Sequence, residues 1–380
     1  MVRIETVETH VFRVPLKQPV QTSFGKMHDR PAVLVRLTDE DGAIGWGEVF
    51  CNWPAAGAEH RARLILEDIT YLIFGRVWTA PGEMFTALTA ETHIKVLQTG
   101  EVGPFAHAIA GLDMAMHDLF ARKADKPLAH FLEPSAELSV PVYASGIQID
   151  DAPRMVPDAR TSGFRAFKVK VGFDIAEDAR KVRELFDTLQ PGELLMADAN
   201  QAWSVSEATS FLEALQGVPL AWLEEPIRVD MPEADWKALA TASPVPLAGG
   251  ENIAGFDCFD AVIRGGALDV IQPDAAKWGG VGGCLEVGRR ATAARRLYCP
   301  HFLGAGLGLL ASAHILAASG SSGRLEVDVN PNPLRSEMVP GWPKVVDGTA
   351  EIPNEPGIGM LPELSALEPH RTLKASQSAD

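Results

Sequence analysis

The chain has only four cysteines, Cys51, Cys258, Cys284 and Cys299, and no two of them form a CxxC pair. Such spacing excludes a disulfide framework and a thiolate zinc site, and it reads as the reduced-thiol usage of a cytoplasmic protein. Basic side chains are also scarce, with 34 Lys and Arg against 50 Asp and Glu for a formal charge of −16. Polyanion binding needs clustered Lys and Arg, so nucleic acid is excluded as a partner. Long apolar runs are missing apart from Phe302–Ser319, which is interrupted by Gly304, Gly306, Gly308 and His314. It reads as a buried helix after a glycine loop, leaving no membrane span, and the segment Met1–His10 has no apolar leader core. The cluster Gly279-Gly280-Val-Gly282-Gly283 lacks both GxGxxG spacing and a P-loop lysine. It therefore reads as tight turns rather than a phosphate loop. HxH-type strand ends, the mark of a barrel metallohydrolase, are absent too.

What is present is an apolar fraction of 46% over 380 residues, ample for a large core in two domains or a barrel with an appendage. Val33, Val35 and Leu37 alternate, Asp41-Gly42 turns, and Ile44 to Val49 returns, which predicts a hairpin. Helices are expected over Ala58–Phe74 and Phe105–Lys123; in the second, Ile109, Leu112, Met116 and Leu119 share a face. From Val140 the rhythm changes to short apolar runs alternating with helices. The expected strands are Val140–Ser145, Phe167–Val171, Leu194–Asp198, Leu220–Glu224, Pro246–Glu251, Leu268–Asp274, Leu297–His301 and Leu325–Asp328. Between them, Ser204-Val-Ser-Glu207 is a capping box, and Val182, Leu185, Phe186 and Leu189 line one helical face. Eight strands with intervening helices predict an α/β fold, a (β/α)8 TIM barrel, with a doubly wound open sheet as the competing architecture. The divisions expected are an α+β domain over 1–128, the barrel over 129–330 and a tail over 331–380 packing back on the first.

Buried strands should be apolar, yet these finish in charge. Lys168 and Lys170, Asp198, Glu224, Glu251, Asp274, His301 and Glu326 follow one another, and from Lys170 onward they recur every 23 to 28 residues. In a barrel the C-terminal strand ends converge on one face, which makes these residues a ring. Asp198, Glu224 and Glu251 cannot all ionise together without a cation, and an all-oxygen donor set suits Mg2+ rather than zinc. Lys168 and Lys170, two apart, share a strand face, and their repulsion beside a dication would lower a lysine pKa enough for it to act as a base. Asp274 would fix the tautomer of His301 across the mouth. Two bases around a metal suit removal of a proton next to a carboxylate, with Lys168 and a protonated Glu326 stabilising the enediolate.

These residues resemble the motifs of the enolase superfamily, mandelate racemase subgroup, whose known pattern is a Lys or His base beside Mg2+. Lys168-Val-Lys170 is similar to its KxK motif, and Ala197-Asp198-Ala199-Asn200, Trp222-Leu-Glu224-Glu-Pro226 and Gly250-Glu251-Asn252 to its metal-ligand motifs. Gln272-Pro-Asp274 with Pro300-His301 is similar to its Asp-His dyad, and Leu325-Glu326 to its eighth-strand glutamate. Gly45-Trp46-Gly47-Glu48 and the helix 108–123 resemble its N-terminal capping domain. The muconate-lactonizing branch has a lysine where Asp274 stands, so the chain departs from that branch. The resemblance implies Asp198, Glu224 and Glu251 as Mg2+ ligands and Lys170 and His301 as bases on opposite substrate faces. Lys168, Glu326 and Asn200 would then be substrate contacts, with Lys277 a neighbour of the metal site. Glu225 is expected to point away. Mobile loops over Gln18–Arg30, with Phe24, Lys26, His28 and Arg30, and over Phe50–Gly57 would close on an anionic substrate. The segment Asn330-Pro-Asn-Pro333-Leu-Arg335 resembles one in galactarolactone cycloisomerases and related acid-sugar enzymes. The implied activity is dehydration or lactone opening of a sugar acid by a homo-oligomer. The alternatives are a racemase or epimerase using Lys170 and His301, and a non-catalytic ligand-binding barrel.

Overall fold

The computed structural model describes residues 1–22 and 25–379. Its N-terminal part is an antiparallel sheet of β1 (Ile4–Thr22), β2 (Gly25–Asp39) and β3 (Ile44–Val49), paired in that order. The alternation in β2 serves two cores at once. Val33, Val35 and Leu37 pack against the helices of this domain, whereas Ala32 and Leu34 join the core of the barrel. Helices α1 (Gly57–Leu64) and α3 (Val102–Lys123) lie on the sheet, and α2 (Gly82–Thr99) packs against α3. The helix expected over Ala58–Phe74 does not run through. After Leu64 it widens into a π turn over Ile65–Ile69 and tightens into a 3-10 turn over Thr70–Leu72. Thr70 Oγ1 donates to the Leu66 carbonyl there, a side-chain bond that competes with regular helix. The glycines of the Gly45-Trp46-Gly47 run let β3 lie directly on α3, because a Cβ at Gly47 would sit 2.1 Å from the Gly111 carbonyl oxygen.

The barrel comprises, among the described residues, eight parallel strands: β4 (Ser139–Gln148), β5 (Ala166–Lys170), β6 (Leu194–Asp198), β7 (Leu223–Glu224), β8 (Leu247–Gly249), β9 (Val270–Ile271), β10 (Leu297–Tyr298) and β11 (Leu325–Asp328). They pair in chain order, and β11 returns to pair with β4, so the barrel replaces the competing open sheet. Between β10 and β11 the contact is looser, with Arg324 N–H donating to Cys299 Sγ. Phe167 and Val169 of β5 point outward to helical residues such as Val182 and Phe211. Tyr143, Met196, Trp222 and Val270 fill the interior, so the barrel is a packed core with a polar lid. The capping box at Ser204 and Glu207 is formed.

The C-terminal segment pairs with both parts. β12 (Val345–Val346) and β13 (Thr349–Glu351) extend β4 antiparallel, and β14 (Arg371–Ser378) adds to β1. The helix Gly306–Ala318 is buried along its length, and among the described residues no helix is long and apolar enough to cross a membrane. The four cysteines are free thiols.

Glu48 of β3 crosses between the two parts. Buried, it accepts from the backbone N–H of Ala305 and, at 2.9 Å, of Gly308, at the start of helix Gly306–Ala318. Burial lifts its carboxyl to about 7 against the pull of those N–H groups, with Asp274 adding to the rise. Folded Glu48 thus holds a proton that the unfolded chain, near 4.5, releases. Its contribution to stability is fully present below pH 4.5 and is lost as pH rises to about 7. Wild type should therefore lose stability relative to Glu48→Gln from pH 5 to 7.5 in urea denaturation. An equal difference at both pH values would count against this assignment.

Candidate active site

Parallel register sets the first contacts. Lys170 pairs with Asp198 and Asp198 with Glu224, so three charged residues stand abreast on β5, β6 and β7. Lys170 Nζ lies 2.5 Å from Asp198 Oδ2. One turn of the pleat deeper, Lys168 is fully enclosed, with Nζ 2.6 Å from Glu224 Oε1, 2.8 Å from Glu326 Oε1 and 3.6 Å from Asp198 Oδ2. Its ammonium also sits 5.4 Å from the centre of the Tyr143 ring. Burial favours the neutral amine, but Glu224 and Glu326 outweigh it and hold Lys168 well above the ordinary lysine range.

Across the mouth, His301 Nδ1 lies 2.8 Å from Asp274 Oδ2, and Asp274 Oδ1 accepts from the Ala276 N–H at 2.8 Å. The dyad holds the other ring nitrogen toward Glu251, 3.2 Å away. Burial opposes the imidazolium, yet Glu251, Glu326 and Asp274 together lift His301 to about 9. Glu251 is also paired with Lys277. Glu224 accepts from Trp222 Nε1 at 3.1 Å and from Gln272 Nε2 at 2.7 Å.

Several expectations need correction. Glu225 does not point away: its φ of +39° breaks the strand alternation immediately after Glu224, and its buried carboxylate joins the cleft beside Asn200 and Glu251. Asn252 Nδ2 holds it at 2.9 and 3.1 Å, and burial, followed by Glu251 and Asp198, lifts it to about 8. Burial raises the Glu326 carboxyl, but Lys168 and His301 outweigh it and bring it down to about 2, which favours an acceptor over the protonated donor expected; Ser145 Oγ donates to it. Burial pulls the Lys170 ammonium down, but its carboxylate partner Asp198 overrides this and raises it; the lowering expected of it would belong to the site with a dication on Asp198. The described residues of the segment Gln18–Arg30 are strand rather than open loop, since β1 and β2 pair there up to Thr22 and Gly25. Within it Lys26 and His28 are exposed and stay off the cleft wall, and Phe24 lies outside the described residues. Arg30 does reach the cleft, but its guanidinium is engaged with Asp328 at 2.8 Å. Asn200 lines the cleft, its N–H donating to Asp198 Oδ1 at 2.8 Å.

The cleft over these groups measures about 470 Å3, and both domains wall it. Phe50, Trp53 and His107 come from the N-terminal part, and Lys170, Glu251 and His301 from the barrel. Sequence reasoning passed over Ser145, Gln272 and His107. Gln272 stood inside the motif with Asp274 and could have been found there; nothing local marked the other two.

Residues 4–132 match the family described as mandelate racemase / muconate lactonizing enzyme, N-terminal domain, and residues 152–365 match enolase C-terminal domain-like. The chain belongs to the enolase superfamily, mandelate racemase subgroup. A mandelate racemase/muconate lactonizing enzyme from Bordetella bronchiseptica RB50 is 47% identical with a TM-score of 0.91, over 97% of this chain and 99% of that one. A racemase from Streptomyces coelicolor A3(2), solved with bound magnesium, has a TM-score of 0.87 at 27% identity, over 97% and 100%. D-galactarolactone cycloisomerase of Agrobacterium fabrum is 27% identical over 97% of this chain and 99% of its own length. Relatives in this superfamily are cycloisomerases, acid-sugar dehydratases and epimerases.

Mg2+ is the cofactor of the superfamily, and the donor set here fits it. Asp198, Glu224 and Glu251 offer carboxylate oxygens, the hard ligands Mg2+ prefers, on consecutive strand ends. Among the described residues no three acidic, His or Cys side chains close into a ready-made cage. Instead each of the three is held by its own ammonium: Asp198 by Lys170, Glu224 by Lys168 and Glu251 by Lys277. Stripping the protein of divalent ions with EDTA should abolish any turnover or solvent exchange, and excess Mg2+ should restore it. Undiminished activity in EDTA would exclude the metal from the reaction.

Proposed function

We propose that this chain removes the proton α to the carboxylate of a sugar acid or sugar lactone, and that dehydration or lactone opening follows. The observation that carries the reading is Lys170, against Asp198, and His301, held by Asp274 and against Glu251, entering one cleft. Asp198, Glu224 and Glu251 would hold Mg2+. When bound, Mg2+ supplies Lewis acidity at the substrate carboxylate and takes over the negative charge that now holds the lysines protonated. Lys170 receives the α proton at Nζ. Its side chain is 19% exposed, whereas that of Lys168 is 0% exposed, so Lys170 is the one substrate can touch. Lys168 stays charged beneath it and opposes the charge that builds on the enediolate oxygens. His301, kept in one orientation by Asp274, hands a proton from Nε2 to the departing hydroxyl or lactone oxygen.

The test is proton NMR in D2O on a panel of hexonic and hexaric acids and their lactones with Mg2+. A keto-acid or an opened lactone is the expected product. Deuterium incorporation that leaves the compound otherwise intact would assign a racemase or epimerase instead, and an inert panel would overturn the proposal.

A further inference from the structure

The N-terminal wall of the cleft carries a donor whose direction is fixed by a buried arginine. Arg61 of α1 is 2% exposed and has no carboxylate partner among the described residues. It donates Nη1–H to the Gly57 carbonyl and Nη2–H to the Trp53 carbonyl, each at 2.9 Å, and so pins the segment between them. Its Nε–H donates to His107 Nδ1 at 2.9 Å. A guanidinium can only donate, so His107 Nδ1 must be the acceptor and the ring proton must sit on Nε2. His107 lies on α3 and lines the cleft beside Gly103, with its ring edge to face against Phe50 at 5.1 Å. Phe50 in turn lies under the Lys277 ammonium, 4.6 Å from its ring centre. Nε2 has no acceptor among the described residues, and Gly103 leaves that edge uncrowded, a Cβ there coming no nearer than 3.6 Å to the ring.

We infer that His107 is a substrate-contacting, specificity-determining residue. It presents a fixed Nε2–H to a neutral oxygen of the substrate, a hydroxyl or lactone oxygen remote from the carboxylate, and Arg61 is its positioning residue. The inference rests on the proposed sugar-acid reading for the identity of that oxygen. It explains why a buried arginine, with no carboxylate bonded to it among the described residues, stands there: a carboxylate in its place would accept from the ring and turn the proton inward. Burial, then Arg61 and Lys277, push the imidazole down to about 3, so the ring stays neutral and its donor is the same throughout the working pH range.

The experiment has two arms on the full chain. Two-bond proton–nitrogen correlation on 15N-histidine protein, assigned with His107→Gln, should give the Nε2–H tautomer. Arg61→Met should shift it toward a mixture with Nδ1–H. Adding galactarate with Mg2+ should perturb the His107 Nε2 proton. An Nδ1–H tautomer or an imidazolium in wild type at pH 7 would overturn the inference, as would an unperturbed Nε2 proton. In the kinetic arm, on a compound turned over in the NMR panel, His107→Leu should raise KM at least about tenfold with kcat within about threefold, and His107→Gln should recover most of the loss. An unchanged KM would also overturn it. If wild type turns over nothing in the panel, the proposed function falls while the tautomer and perturbation measurements still decide the role of His107.

Discussion

Lys170→Ala is expected to slow α-proton exchange by about 10^2- to 10^4-fold, the range a positioned general base contributes, while Mg2+ binding persists. The argument is one of access. Lys168 and Lys170 point the same way from β5, but Lys168 is sealed beneath Glu224, Glu326 and Tyr143, whereas the end of Lys170 opens on the cleft. Only Lys170 can meet a substrate carbon. Exchange followed by NMR in D2O measures the proton step without knowledge of the later fate of the enediolate. Titration calorimetry with Mg2+ on the same variant separates loss of the base from loss of the metal. Exchange at the wild-type rate would remove Lys170 from the reaction, and unaltered binding with no exchange would also exclude a ligand-binding barrel without chemistry.

Lys168→Met should cost about 3–5 kcal/mol of stability, the range seen when one member of a buried ion network is removed and its partners stay behind. Met nearly matches the length of the lysine stem, so the cavity contribution is small and the effect reports charge. Without the ammonium, Glu224, Glu326 and Asp198 face one another, with Lys170 against Asp198 and His301, 3.9 Å from Glu326, as the remaining counter-charges. Urea denaturation in EDTA measures the loss. The double variant Lys168→Met/Glu326→Gln should regain part of it, because one of the stranded carboxylates is then neutral. A loss under about 1 kcal/mol would mean that the network contributes little to folding and serves the site alone.

The ring of strand-end residues was legible because barrel geometry converts a regular interval into convergence: Asp198, Glu224 and Glu251 needed no more than their spacing. The lengths of the strands were not. Leu220–Glu224 and Leu268–Asp274 were expected, and the ladders hold only Leu223–Glu224 and Val270–Ile271. Apolar residues beyond the ladder bury just as well in the turns that feed it, so hydrophobicity runs past the hydrogen bonds. Glu225 was misread for a different reason. Alternation assumes extended backbone, and a positive φ at one residue turned its side chain back toward the mouth. Arg30 lines the cleft, but its partner Asp328, which no local pattern could give, comes from a strand almost three hundred positions later. His107 could not be found at all, since its donor atom is decided by Arg61, on a different helix.

The pairing of β14 with β1 has a bearing on how the molecule is made. Thr6 lies opposite Ser378 and Val11 opposite Leu373, so the first strand of the sheet waits for a segment synthesised after the whole barrel. While a ribosome is still reading the barrel, one edge of β1 stays open, and the outer sheet can be finished only after residues beyond 370 emerge. Contacts of such sequence separation form late and slowly. The cleft is lined by residues from Met27 to Asn330 and needs none of β14, so its walls can meet before the outer sheet is closed.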